Sequence, residues 1–150
     1  MAAGAVGGYF GSVLAKKHDV LLIARGEHLR RIQENGLRIK SLTSGDFSSR
    51  LLAVEKPPAQ YVPDVILYCV KAYHNEEACE VITPTVGSQT TILSLQNGIG
   101  CGDFLNSHFG QEKVLLGAAY IEASRSEPGV IQEHGGECRI ALGDQAGNLT

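Results

Sequence analysis

Three groups of residues have the types and spacing for chemistry on a phosphate-bearing ligand. The first is Ala2-Ala3-Gly4-Ala5-Val6-Gly7-Gly8-Tyr9-Phe10-Gly11. In the pattern GxGxxG between a strand and a helix, one glycine makes a tight turn, the next lets backbone approach a pyrophosphate, and the third lets helix and strand pack closely. Gly4 and Gly7 match the second and third positions; Ala2 occupies the first, where a Cβ is disfavoured if the turn needs positive φ. A helix start that is merely rich in small residues is the competing reading. The second feature is Arg25, about 20 residues past the loop, where such folds read the type of nucleotide. An Asp or Glu there would hold ribose hydroxyls and repel a 2′-phosphate. A guanidinium instead grips phosphate through a bidentate fork, which favours NADP(H) over NAD(H); a solvated surface arginine is the alternative. The third is the pair Lys71 and Asn97, each following a strand-like apolar run. Open α/β sheets bind ligands along that edge. Singly, each could be a solvated loop residue or a helix cap; jointly with the loop they favour a site.

These residues need elements to hold them. Val6, Phe10, Val13 and Leu14 recur at helical spacing between Ala5 and Lys17, and Asp19 to Ala24 is a short apolar strand. Leu29 and Ile32 line one face of a helix over Glu27 to Asn35, with Gly36 at its C′ position. Leu37 to Leu42 alternates at period two, and Thr43-Ser44-Gly45-Asp46 turns into a second alternating patch through Leu51 to Val54, which reads as a hairpin at the sheet edge. Pro57, Pro58 and Pro63 precede the strand Asp64 to Val70. Asn75, followed by Glu76 and Glu77, has the form of an N-cap with an acidic first turn. Thr91 to Leu95 is the next strand, and a helix is expected around Gly102 to Phe109. Val114 to Ala123, Gly129 to Glu133 and Arg139 to Leu142 read as three further strands. The fold class is therefore α/β, a mostly parallel sheet with a strand-rich C-terminal end.

Composition narrows the partners. A net charge of -3 with scattered Lys and Arg offers no field for nucleic acid, so a small molecule is the expected ligand. Cys69, Cys79, Cys101 and Cys138 show no CxxC spacing and read as reduced thiols. No apolar run reaches a membrane span and no signal-peptide pattern is present, so the chain reads as cytoplasmic. His18, His28, His74, His108 and His134 are dispersed and are read as surface or capping residues rather than metal ligands. Glu122 and Glu133 could form an acid pair, but salt bridging or solvation is the expected role.

Gly4 to Gly11, Ala24-Arg25-Gly26-Glu27-His28, Val70-Lys71-Ala72-Tyr73 and Gln96-Asn97-Gly98-Ile99-Gly100, in this order and spacing, together resemble the ketopantoate reductases (2-dehydropantoate 2-reductases). The resemblance covers nearly the whole chain. It implies a Rossmann-like, doubly wound NADP-binding domain over residues 1–150, whose first strand is missing. It also implies NADPH-dependent reduction of 2-dehydropantoate, a small 2-oxo acid, to pantoate on the route to pantothenate and coenzyme A. By resemblance, Gly4, Ala5, Val6 and Gly7 cradle the pyrophosphate and Arg25 meets the 2′-phosphate. Lys71 lies near a cofactor phosphate, Asn97 touches both cofactor and substrate, and Ala123 contributes a backbone contact.

The catalytic lysine of the family belongs to a helical C-terminal domain, so no catalytic residue is assigned within this chain. A reductase of another 2-oxo acid and a non-catalytic NADP-binding or regulatory module are the alternatives, and a homo-oligomer is left open. Without the first strand, the Asp19 to Ala24 strand and the Thr91 to Leu95 region are expected to lack a neighbour. Low stability, low solubility, weak nucleotide binding and no activity are expected of the isolated chain.

Overall fold

The computed structural model describes residues 3–98 and 100–143, and the chain divides into two compact units. The first comprises residues 1–55 and 120–139, the second residues 56–119 and 140–150. Ala2, at the first position of the glycine pattern, lies outside the described residues.

In the first unit, α1 (Ala5–Leu14) begins where Gly4 leaves extended backbone, and Gly7 to Ser12 are buried without a break. It ends earlier than the periodicity suggests, because Lys16, Lys17 and His18 face solvent. β1 (Leu21–Ile23) follows. α2 (Gly26–Asn35) buries His28 and Ile32, while Glu27, Arg30, Arg31 and Glu34 pair along its solvent face. Its end is set by Gly36, at φ 78, whose N–H donates to Ile32 O at 2.8 Å. A Cβ at that glycine would stand 2.8 Å from Ser49 O.

The hairpin expected over residues 37–54 is shorter than its pattern. β2 (Leu37–Ser41) pairs antiparallel with β3 (Phe47–Ser49), but β4 (Leu52–Val54) leaves the hairpin and pairs parallel with β1. Nor is β2 at an edge: its other side pairs parallel with β9 (Val130–Glu133). β9 in turn takes β8 (Ala123–Glu127) as an antiparallel partner, giving the order β3-β2-β9-β8. The run Val114 to Ala123 is thus not one strand, since β7 (Val114–Tyr120) stops before β8 begins. Helix α1 packs on β2, β8 and β9. Tyr9, Phe10, Leu22, Ile32, Leu37, Ile39 and Ile131 form the buried interior of this unit.

In the second unit, β5 (Val65–Tyr68), β6 (Thr91–Ser94) and β7 run parallel in adjacent positions, with β10 (Arg139–Gly143) beyond β7. β6 therefore has a neighbour on each side, contrary to the expected exposed edge; the outer strands are β5 and β10. β1 does have a neighbour, β4, but on one side only, since the two form a two-stranded sheet. In both cases the pairing joins residues distant in sequence, which short-range patterning does not report. α3 (Asn75–Ile82) and α4 (Cys101–Phe109) bury Ala78, Cys79, Ile82 and Leu105 with Ile66, Tyr68, Ile92, Leu93 and Val114. No helix among the described residues is long and apolar enough to cross a membrane.

Candidate functional site

The glycine loop is held at the end of β1. Ala3 N–H donates to Ile23 O at 2.8 Å, and Gly8 N–H donates to Gly4 O at 2.8 Å as α1 begins. Gly4 carries no side-chain cap, and no acidic residue lies in the first turn. The opening N–H groups of α1, including those of Ala5, Val6 and Gly7, are thus set at the positive end of the helix dipole without a carboxylate to compete for them. Arg25 stands two residues past β1, exposed and in extended backbone as the N-cap of α2, while Ala24 N–H is tied to Val54 O at 3.0 Å. Loop and Arg25 backbone are thus set by the same strand end.

Close packing of α1 falls to glycines that the sequence pattern did not single out. A Cβ on Gly8 would lie 3.1 Å from Ile131 Cγ1 and 3.3 Å from Leu37 Cδ2, and one on Gly11 would lie 3.0 Å from Leu22 Cδ2. Gly8 seats the helix on β2 and β9, and Gly11 seats it on β1. Their recurrence with Gly4 at helical spacing was the available signal. Ala123 opens β8 opposite Glu133, and α1 packs on that strand.

In the second unit, Lys71 and Asn97 are brought to one edge. Each follows the C-terminal end of one of the adjacent parallel strands β5 and β6, and both are exposed. Gln96 stitches these ends together: its Nε2 donates to Val70 O and to Asn75 Oδ1, both at 2.7 Å. Asn75 is therefore not a helix cap. It is the first residue of α3, His74 precedes it without a capping bond, and its side chain is committed to Gln96. The Tyr68 hydroxyl donates to Asn75 O at 3.2 Å, and burial drives its pKa upward, so it stays a neutral donor. Gln96 Oε1 is buried without a hydrogen-bond partner, an acceptor one residue from Asn97. Gln96 is not singled out by the sequence because its role lies in bonds to Val70 and Asn75, 26 and 21 residues away, which only the fold brings together.

Two further expectations are corrected. His28 is neither a surface nor a capping residue: it is 6% exposed and bonded on both ring nitrogens. Glu133 is neither solvated nor salt-bridged. It is 1% exposed and accepts from Ser41 Oγ at 2.5 Å, Thr43 N at 3.0 Å, Thr43 Oγ1 at 3.1 Å and Gly135 N. Burial raises its pKa, but these donors outweigh it and hold the carboxyl down at about 2. The other four histidines are exposed. Among the described residues, no His, Cys, Asp and Glu side chains gather as a metal-binding set.

Fold and loop together define an α/β protein whose glycine-rich segment opens its first helix beside the end of a strand. The chain matches the model of the family described as ketopantoate reductase PanE/ApbA over residues 2–147, and it belongs to that family. The 2-dehydropantoate 2-reductase of Halobacterium salinarum is 32% identical over 135 residues, covering 89% of this chain and 44% of that protein. The crystal structure of 2-dehydropantoate 2-reductase from Geobacter metallireducens superposes with a TM-score of 0.88 at 34% identity, covering 96% of this chain and 48% of that one. The ternary structure of D-mandelate dehydrogenase with NADH and anilino(oxo)acetate superposes with a TM-score of 0.83 at 28% identity, covering 89% of this chain and 44% of that one. The fold is thus the Rossmann-like fold of the ketopantoate reductases, and the chain spans about half the length of the relatives it matches.

Proposed function

We propose that this chain is the NADP(H)-binding part of an oxidoreductase that reduces 2-dehydropantoate to pantoate. The observation that carries the reading is the placement of the uncapped, acid-free start of α1 and of Arg25 at the same end of β1. A pyrophosphate is received by the opening N–H groups over Gly4, Ala5, Val6 and Gly7, and a 2′-phosphate by the Arg25 guanidinium. Lys71 is assigned to a cofactor phosphate, Asn97 to cofactor and substrate, and Ala123 to a backbone contact with the nucleotide.

In the first unit the groups fit such a nucleotide: backbone N–H donors without a competing carboxylate, and a guanidinium. The second unit offers the Lys71 ammonium and, beside Asn97, an unpartnered buried acceptor, Gln96 Oε1. When bound, the reduced nicotinamide supplies a hydride to the ketone carbon of the 2-oxo acid. The developing alkoxide then needs a proton donor or a cation, and none of this chain's residues is assigned that part.

The competing reading of the nucleotide is NADH, which the D-mandelate dehydrogenase structure contains. That protein also makes a different 2-oxo acid the alternative substrate. Arg25 separates the two nucleotides. In titrations of this chain, Arg25→Ala is expected to weaken NADPH by about tenfold or more while NADH changes little, because a bidentate guanidinium–phosphate pair is lost only for the former. Equal weakening of both nucleotides would remove the 2′-phosphate assignment.

A further inference from the structure

We propose that His28 is a positioning residue for the nucleotide loop, acting as a neutral imidazole that ties the residue leading into Gly4 to the turn between β8 and β9. The inference rests on reading Gly4 to Gly7 as that loop. His28 Nε2 lies 2.6 Å from Ala3 O, and Gly129 N lies 2.9 Å from His28 Nδ1. The partners fix the tautomer. A carbonyl oxygen only accepts and a peptide N–H only donates, so Nε2 carries the proton and Nδ1 is left bare to accept. Ala3 is then held at both of its polar atoms, its N–H on β1 and its carbonyl on His28. The other end of the clamp is equally confined: Gly129 has φ 82, and a Cβ there would stand 2.9 Å from Arg31 Cβ on α2.

An imidazolium cannot make this clamp, because a protonated Nδ1 would point a second donor at the Gly129 N–H. The charged neighbours do not favour it either. Burial is the main force against the imidazolium, exceeding the hydrogen bond to Ala3 O that favours it, and the facing charge of Arg125 on β8 acts in the same direction as burial. On α2 itself, Glu27 is paired with Arg30 and Arg31 on the solvent face. Glu127 and Pro128 lead into the Gly129 turn, both exposed.

The side chain of glutamine offers one amide donor and one carbonyl acceptor at a similar spacing and does not titrate, which makes His28→Gln the conservative variant. NADPH binding to wild type, His28→Gln and His28→Leu should be measured across about pH 5 to 8, the range in which histidine titrates. At the alkaline end His28→Gln is expected to match wild type and His28→Leu to bind about tenfold more weakly, as expected when a buried polar pair loses its partner. Toward the acid end, wild type is expected to weaken relative to His28→Gln. Taking the ratio of the two cancels the titration of the nucleotide's own 2′-phosphate, whose second proton leaves near about pH 6. A ratio that stays constant with pH, or a His28→Leu protein that binds like wild type, would overturn the assignment.

If wild type binds neither NADPH nor NADH at any pH, the nucleotide reading falls, and the clamp is judged separately by hydrogen exchange of the Gly8 amide. That amide closes the first bond of α1 onto Gly4. Exchange faster in His28→Leu than in His28→Gln at equal global stability supports the clamp, and identical exchange refutes it.

Discussion

Glu133 shows how little a residue's type discloses about its role. From sequence it is one acid near the end of a strand pattern. In the fold it is a buried carboxylate satisfied by neutral donors, binding β9 to the Ser41 to Ser44 turn that also receives the Tyr9 hydroxyl at 2.9 Å. Its folded pKa of about 2 lies below the ordinary 4.5, so its stabilising contribution is complete above pH 4.5 and is lost as pH falls toward 2. Glu133→Gln is expected to cost about 2–3 kcal/mol at neutral pH, since an amide turns a donor toward donors. Chemical denaturation of both proteins at pH 7 and again at low pH checks this: the gap should narrow in acid.

His28 contributes in the same sense at higher pH. Its folded pKa lies below 6.5, so the ring's contribution is full above that value and is lost as pH falls through the folded one. Stability is therefore expected to fall in two stages on acidification, and the upper stage should be absent in His28→Gln. Neither role was legible beforehand, because burial and partners at separations of 25 to 101 residues are products of the fold. Arg25 and Lys71 can be singled out in sequence because each directly follows an apolar run, and Asn97 because it stands two residues past one; their roles belong to the proposed function.

At the scale of elements, the parts with strong local signals were readable and the pairings were not. α2 is recoverable from its apolar stripe and terminal glycine, and the strands over 65–68 and 91–94 from their apolar runs. The hairpin is shorter than expected because Leu51-Leu52-Ala53-Val54 is a continuous apolar run rather than an alternating one, and Leu52 to Val54 pairs parallel with β1, with Gln33 Nε2 of α2 donating to Ala53 O at 2.9 Å. The strand beginning at Val114 was drawn too long because no breaker separates Tyr120 from Ala123. The seat of α1 is the element-level feature most exposed to test. Gly8→Val would press into Ile131 and Leu37, and is expected to destabilise the first unit by about 2 kcal/mol through overpacking. Thermal unfolding of the variant reads this directly; an unchanged midpoint would mean that α1 does not depend on that approach.

For the molecule as a whole, the family and the placement of its glycine loop support the proposed function, and in that proposal nucleotide specificity turns on a single charge. Net charge of the chain is -3, so nucleotide binding has no help from the overall field and must come from the local N–H groups and cations. A 2′-phosphate adds an interaction only if Arg25 meets it. The most direct measurement is a parallel titration of this chain with NADPH and NADH under one set of conditions. NADPH is expected to bind about tenfold or more tightly than NADH, the difference expected of one charge-assisted bidentate contact. Equal affinities, or a preference for NADH, would contradict it.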